Sequence, residues 1–299
     1  MCYSVVMNTT QGESVSTTIR QAIAAHAGYL GMRRSEGTQA KYGQHLRALE
    51  EWAGDRPITT LTAQEIEFGF LGPWSQGKSS ATIRNRMAAM KSLFEFAERF
   101  DIVERNPMRK IEAPARDERM GNWLRPKEDA ELLEAAVTPD EKIIVWLLRF
   151  TGLRVSEACA LGWEDIDFTN QRLTVRKSKT ASGRRTIPLH PMLVPALHSW
   201  QGQRPGSFVL ATRNGTAMAH QHVWKIVKRV GERIGVVGLS PHSLRRTFGS
   251  AAINEGIRLE VVSKLLGHSN TAITEKAYAA LEAETIAAEA LTAWGGGSA

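Results

Sequence analysis

The sequence predicts a mainly α-helical protein with one small β-sheet, an α+β chain in two parts. Three observations predict it. Helix-like apolar spacing runs from about Thr17 to Arg105. A stretch with prolines and many charges but little periodicity, Asn106 to Asn122, then interrupts it. Beyond that, two short strand-like runs, Arg172 to Val175 and Thr186 to Leu189, sit among further helical segments.

Residues 1–16, rich in Thr, Ser and Gly, read as a loose tail, and 17–112 as a helical domain. Within that domain Ala22, Ala25 and Leu30, then Tyr42, His45 and Leu49, recur at helical spacing. Gly77-Lys78-Ser79-Ser80 precedes the strongest helix, whose apolar face carries Ile83, Met87, Met90, Leu93 and Phe94. Ser79 or Ser80 suits its N-cap, because a short hydroxyl can accept from an unpaired first-turn amide. Residues 113–122 read as a linker and 123–281 as a second domain. That domain opens with a helix from Pro126 to Ala136, proline in its first turn, and an apolar helix from Lys142 to Phe150 stopped at Thr151-Gly152. The two strand runs join through a turn at Ala181-Ser182-Gly183, Phe208 to Ala211 reads as a third strand, and the chain is mainly helical from His220 onward. Residues 282–299 read as a terminal helix and tail; Leu281, Ile286, Ala290 and Leu291 could dock on a neighbouring protomer or pack within their own.

The bulk numbers exclude several classes. With 42% hydrophobic and 23% charged residues, the 299-residue chain has the composition of a soluble globular protein of two ordinary domains. No apolar run approaches the roughly 20 residues that span a bilayer, and Met1 to Thr18 lacks the pattern of a secretory signal. The expectation is a cytoplasmic protein with no membrane partner. Two cysteines, Cys2 and Cys159, make no disulfide framework and no metal-ligand spacing; Cys159, beside Ala158, Ala160 and Leu161, reads as a small core residue. No cofactor or metal is expected.

The net charge of +7 is unevenly spread. Phe168 to Gly231 holds eleven Lys and Arg and no acid; Phe68 to Phe94 holds Lys78, Arg84, Arg86 and Lys91 and no acid. Two basic windows suit a polyanion gripped from two sides, with a solvated basic face as the plain alternative. Candidate DNA contacts are Lys78, Ser79, Arg84, Arg86 and Lys91 in the first window, and Arg176, Lys177, Arg184 and Arg185 in the second.

Four short motifs carry chemistry. In Ser240-Pro241-His242-Ser243-Leu244-Arg245, serine suits an N-cap and proline the first helical position, so His242 and Arg245 share a helix face near an amide-rich end that favours phosphate. Thr151-Gly152-Leu153-Arg154-Val155-Ser156-Glu157 ends one helix and opens another, with Arg154 beside Glu157 as a surface ion pair or a site residue. Leu265-Leu266-Gly267-His268 reads as a helix stopped by glycine. Tyr278 follows ten residues later and by itself reads as a core or boundary tyrosine.

Taken together, the order Arg154, Lys179, His242-x-x-Arg245, Leu-Gly-His268 and Tyr278 resembles the catalytic signature of the tyrosine recombinases, the phage-integrase-like family. The context matches too: Leu161-x-Trp163 before Asp165-Ile166-Asp167, and Ile187-Pro188-Leu189 after the basic hairpin. The resemblance covers about Trp123 to Leu281 and implies a mixed catalytic domain of that type; the helical half looks like the family's core-binding domain. It implies a site-specific recombinase acting in integration or excision. Tyr278 would be the nucleophile, Arg154 and Arg245 the donors to the scissile phosphate, Lys179 the general acid, and His242 and His268 assisting groups. Lys177, two residues away, is the alternative for the lysine. The resemblance also implies double-stranded DNA as partner, a homotetramer that passes through a Holliday junction, and room for an accessory DNA-bending or directionality protein. A type IB topoisomerase shares the chemistry, and a non-enzymatic DNA-binding protein would account for the charge alone.

Overall fold

A computed structural model describes residues 16–115, 123–176 and 184–268. The chain divides into two compact units, Met1–Arg119 and Met120–Ala299.

In the first unit, α1 (Ile19–Gly31) begins at Thr18, whose hydroxyl accepts from the Gln21 amide while the Gln21 side chain accepts from the Thr18 amide. Its buried face is Ile19, Ala22, His26 and Leu30. Ala25 is exposed, so the apolar face expected from sequence is turned by one residue and a histidine completes it. Helix α2 (Glu36–Ala53) buries Leu46 and Leu49. A π-helical turn (Glu65–Leu71) runs into α3 (Gly72–Ser75), and α4 (Ser80–Arg99) follows. Ser79 is the residue that caps α4, accepting from the Thr82 amide, and Met87, Met90, Leu93 and Phe94 are buried as their spacing predicts. Helices α1, α2 and α4 pack on one another around these side chains.

The second unit is built around α6 (Pro139–Thr151), which packs against α5 (Pro126–Ala135), α7 (Val155–Ala160), α8 (Leu193–Trp200), α9 (His220–Arg233) and α10 (Pro241–Asn254). Burial of Ile143, Ile144, Val145, Leu147, Leu148 and Phe150 on nearly every side explains the unbroken apolar run from Ile143 to Leu148. Helix α11 (Leu259–Leu266) packs on α10. Strands β1 (Ile166–Asp167), β2 (Arg172–Val175) and β3 (Arg185–Pro188) form an antiparallel sheet in that order. Leu173 pairs with Ile166 on one side and Ile187 on the other, and both Leu173 and Ile187 face the core.

The third strand is therefore Ile166–Asp167, and Phe208 to Ala211 is not one. Those residues make isolated bridges, Phe208 with Gly162 and Ala211 with Ala217. The run is apolar because Val209, Leu210 and Ala211 are buried. Its backbone serves two different partners: the Val209 amide donates to the Leu161 carbonyl and the Leu210 carbonyl accepts from Met218, so no ladder extends. Cys159 is buried, and its surroundings push the thiol up to about 11.

Candidate functional site

Helix α6 stops at Gly152, which takes the left-handed conformation at φ 60°. The chain turns there and delivers Arg154 to the N-cap of α7. Glu157, one turn on, accepts from the Arg154 amide at 2.9 Å and from its Nη1 at 2.8 Å. The surface ion pair expected from sequence thus exists, but it is half of the arrangement. Arg154 Nη2 donates to the Gly267 carbonyl at 3.0 Å, more than a hundred residues away.

Ser240 caps α10, accepting from the Ser243 amide, and Pro241 takes the first helical position. His242 keeps an exposed face, while Arg245 is 3% exposed. Arg245 Nη1 donates to the Gly152 carbonyl at 2.6 Å, and its Nη2 to the Leu266 carbonyl. Helix α11 ends at Gly267, left-handed at φ 64°, and the His268 amide closes the turn on the Ser263 carbonyl. Segments 152–157, 242–245 and 265–268 therefore meet in one place.

Electrostatics report the same convergence. Burial, then the charges of Arg245, Arg154, Arg185 and His242, push His268 down to about 4. The protein packed round it, then Arg246, Arg245 and Arg154, lower His242 from its ordinary value. Both shifts favour the neutral imidazole. Burial opposes ionisation of Glu157, but hydrogen bonds and charge from Arg185 and Arg154 outweigh it and hold the carboxyl below its usual range. Guanidiniums already fixed on helix-end carbonyls, two imidazoles and the N-terminus of α10 make a site suited to a phosphate whose negative charge grows in the transition state. Among the described residues, no group of three His, Cys, Asp or Glu gathers as a metal site.

The remaining candidates divide. Lys177, Lys179 and Tyr278 lie outside the described residues. Lys78, Ser79 and Lys91 are exposed. Arg84 Nη1 donates to the Pro114 carbonyl at 2.6 Å. Arg86 does not sit on an open flank as its spacing predicts: it is buried, its guanidinium 3.6 Å above the Trp74 ring, because the aromatic face stabilises a cation withdrawn from water. Arg176 is exposed and pairs with Asp165 at 2.9 Å, and Arg184 is exposed. Arg185 also departs from expectation. Its side chain is 6% exposed and bonds Glu157 and the Leu265 carbonyl. Alternation along the strand separates it from its exposed neighbour Arg184: Arg185 lies two residues before the core-facing Ile187 and opposite the buried Val175, so it turns inward.

The phage integrase family matches residues 122–285, and the phage integrase N-terminal SAM-like domain matches 27–100. Tyrosine recombinase XerC of Roseiflexus castenholzii is 32% identical over 214 residues, 66% of this chain and 67% of that protein. Tyrosine recombinase XerA of Pyrococcus furiosus is 33% identical over 210 residues, 67% of this chain and 70% of its own length. The fold is similar to that of the Tn1549 transposon integrase in complex with a circular intermediate DNA (TM-score 0.77, 23% identity, 91% of this chain and 100% of that one). It is also similar to the lambda integrase tetramer bound to a Holliday junction (TM-score 0.76, 21% identity, 88% and 78%). With its catalytic-half match covering over half of the sequence, and relatives above 30% identity over about two thirds of it, this chain belongs to the phage integrase family.

Proposed function

We propose that this protein is a site-specific DNA recombinase that cuts and rejoins strands through a 3′-phosphotyrosine. The observation that carries the proposal is the meeting of Arg154 and Arg245 on consecutive carbonyls at the end of α11, with His242 and His268 beside them.

In this reading the Tyr278 oxygen attacks the scissile phosphorus and its proton passes to the His242 imidazole. The bond from phosphorus to the 5′-oxygen breaks, and the leaving oxygen takes a proton from Lys179, with Lys177 as the alternative. Attack by a 5′-hydroxyl on the phosphotyrosine reverses these steps, so the bond energy is conserved and no nucleotide cofactor is needed. Arg154 and Arg245 hold the non-bridging oxygens through a fork that stays charged at any working pH. His268 donates a further hydrogen bond. Lys179 and Tyr278 enter this scheme through the family resemblance. Exchange on two duplexes calls for a homotetramer and a Holliday junction, in line with the assembly of the lambda integrase neighbour, and an accessory DNA-bending or directionality protein would select integration or excision.

The test is a nicked suicide substrate carrying a candidate core site. The expected product is a protein–DNA adduct blocked at a 3′ end, absent with Tyr278→Phe although that variant still binds DNA. Adduct formation at wild-type rate by Tyr278→Phe would sink the nucleophile assignment. Binding without any adduct from the wild-type protein would favour a non-enzymatic role.

A further inference from the structure

Three successive carbonyls at the end of α11 each accept from a different arginine. Leu265 takes Arg185 Nε, Leu266 takes Arg245 Nη2, and Gly267 takes Arg154 Nη2. Two of these arginines belong to the phosphate site proposed above, and the third belongs to strand β3. Arg185 has a second attachment: its Nη1 and Nη2 reach the two oxygens of Glu157 at 3.2 and 2.9 Å. Glu157 Oε1 in turn accepts from Arg154 Nη1. One buried guanidinium thus ties the β2–β3 hairpin, the carboxylate under Arg154 and the turn that leads into His268.

We propose that Arg185 is a positioning residue for strand cleavage, fixing Glu157 and the α11 turn so that Arg154 meets the phosphate in a single orientation. The inference rests on the recombinase reading above. Its physical basis is geometric. Arg154 is 40% exposed on its side chain and long enough to swing, and among the described residues its guanidinium is held by Glu157 and the Gly267 carbonyl. Both are themselves held by Arg185, Glu157 directly and Gly267 through the Leu265 carbonyl two residues before it. Displacement of a reacting group by about 1 Å can cost about a hundredfold in rate. A lysine at 185 would keep the charge but has one nitrogen, and cannot bridge a carboxylate and a carbonyl as the planar fork does.

The experiment measures DNA affinity and single-turnover adduct formation on saturating nicked substrate for wild type, Arg185→Lys and Arg185→Gln. Arg154→Ala and Tyr278→Phe are run beside them. Both Arg185 variants are expected to bind DNA within about 2-fold of wild type and to form adduct about 10- to 100-fold more slowly. Arg185→Gln is also expected to lose rate more steeply than wild type as pH falls. Burial then acts on Glu157 with Arg154 as its remaining bonded cation, Arg245, His242 and His268 lying beyond it on α10 and after α11. Cleavage by both variants within about 3-fold of wild type overturns the positioning role. So does a loss confined to DNA binding and thermal stability, with the rate on bound DNA unchanged. If Arg154→Ala and Tyr278→Phe form adduct normally, the recombinase reading fails instead, so the two failures are distinguishable.

Discussion

Replacing Arg245 with lysine separates the two things this residue does. Arg245 is 3% exposed and donates to two carbonyls that end helices, Gly152 after α6 and Leu266 of α11. Lysine keeps the charge but gathers its donors on a single nitrogen at the end of a flexible stem, so it cannot reproduce the two fixed donor directions that the guanidinium aims at these carbonyls. A hydrogen bond to a charged partner is worth about 1.5–3 kcal/mol, a measurable fraction of the roughly 5–15 kcal/mol that holds a domain together. The chemical effect is a separate quantity. Loss of one aligned donor to a developing oxyanion slows reaction by about 10²–10³, or about 2.7–4 kcal/mol in the barrier. Urea unfolding gives the first number, and adduct formation on saturating nicked substrate gives the second. Unfolding free energy within about 0.5 kcal/mol of wild type would show that the carbonyl clamp contributes little. A cleavage rate within about 3-fold would show that the phosphate does not use the guanidinium fork, and the site as argued would fail.

Other outcomes follow from the same structure. His26 is fully buried, with Nε2 3.0 Å from Ser92 Oγ and Nδ1 without a hydrogen-bond partner among the described residues, and burial pushes it down from 6.5 to about 4. Its contribution to stability is complete above about pH 6.5 and is lost as pH falls towards 4, approaching about 3 kcal/mol; hydrogen exchange of α1 amides should show this, and His26→Gln should flatten that part of the curve. Lys91→Ala should lower the slope of log affinity against log salt by about 1 if Lys91 meets a phosphate, whereas Arg86→Met, which removes a buried guanidinium over Trp74, should leave it unchanged. A slope change for Arg86→Met equal to that of Lys91→Ala would contradict its burial. Gly152→Ala should destabilise by about 2–4 kcal/mol and slow cleavage, since φ is +60° and a Cβ would lie 2.5 Å from Phe248 Cδ1. An unshifted melting temperature would refute this.

What the sequence determined by itself was local or periodic. The apolar spacing of α4 named its buried face, Ser79 and Ser240 marked helix starts, and Gly152 and Gly267 marked helix ends, because capping and left-handed turns depend on residues within one turn of each other. The order of Arg154, His242, Arg245 and His268 was equally legible, as a family pattern. Tertiary structure alone decided what each side chain touches. Strand alternation from Ile187 turns Arg185 inward and Arg184 to solvent, but only the packing of β3 against α7 and α11 decides that Arg185 meets Glu157 and the Leu265 carbonyl. Arg86 looks like a phosphate contact until Trp74 closes over it. The apolar run at 208–211 has a strand's composition but bonds to two separate partners. The three-arginine comb on α11 joins residues up to 113 positions apart, and such contacts are set by how helices pack, which no local spacing records.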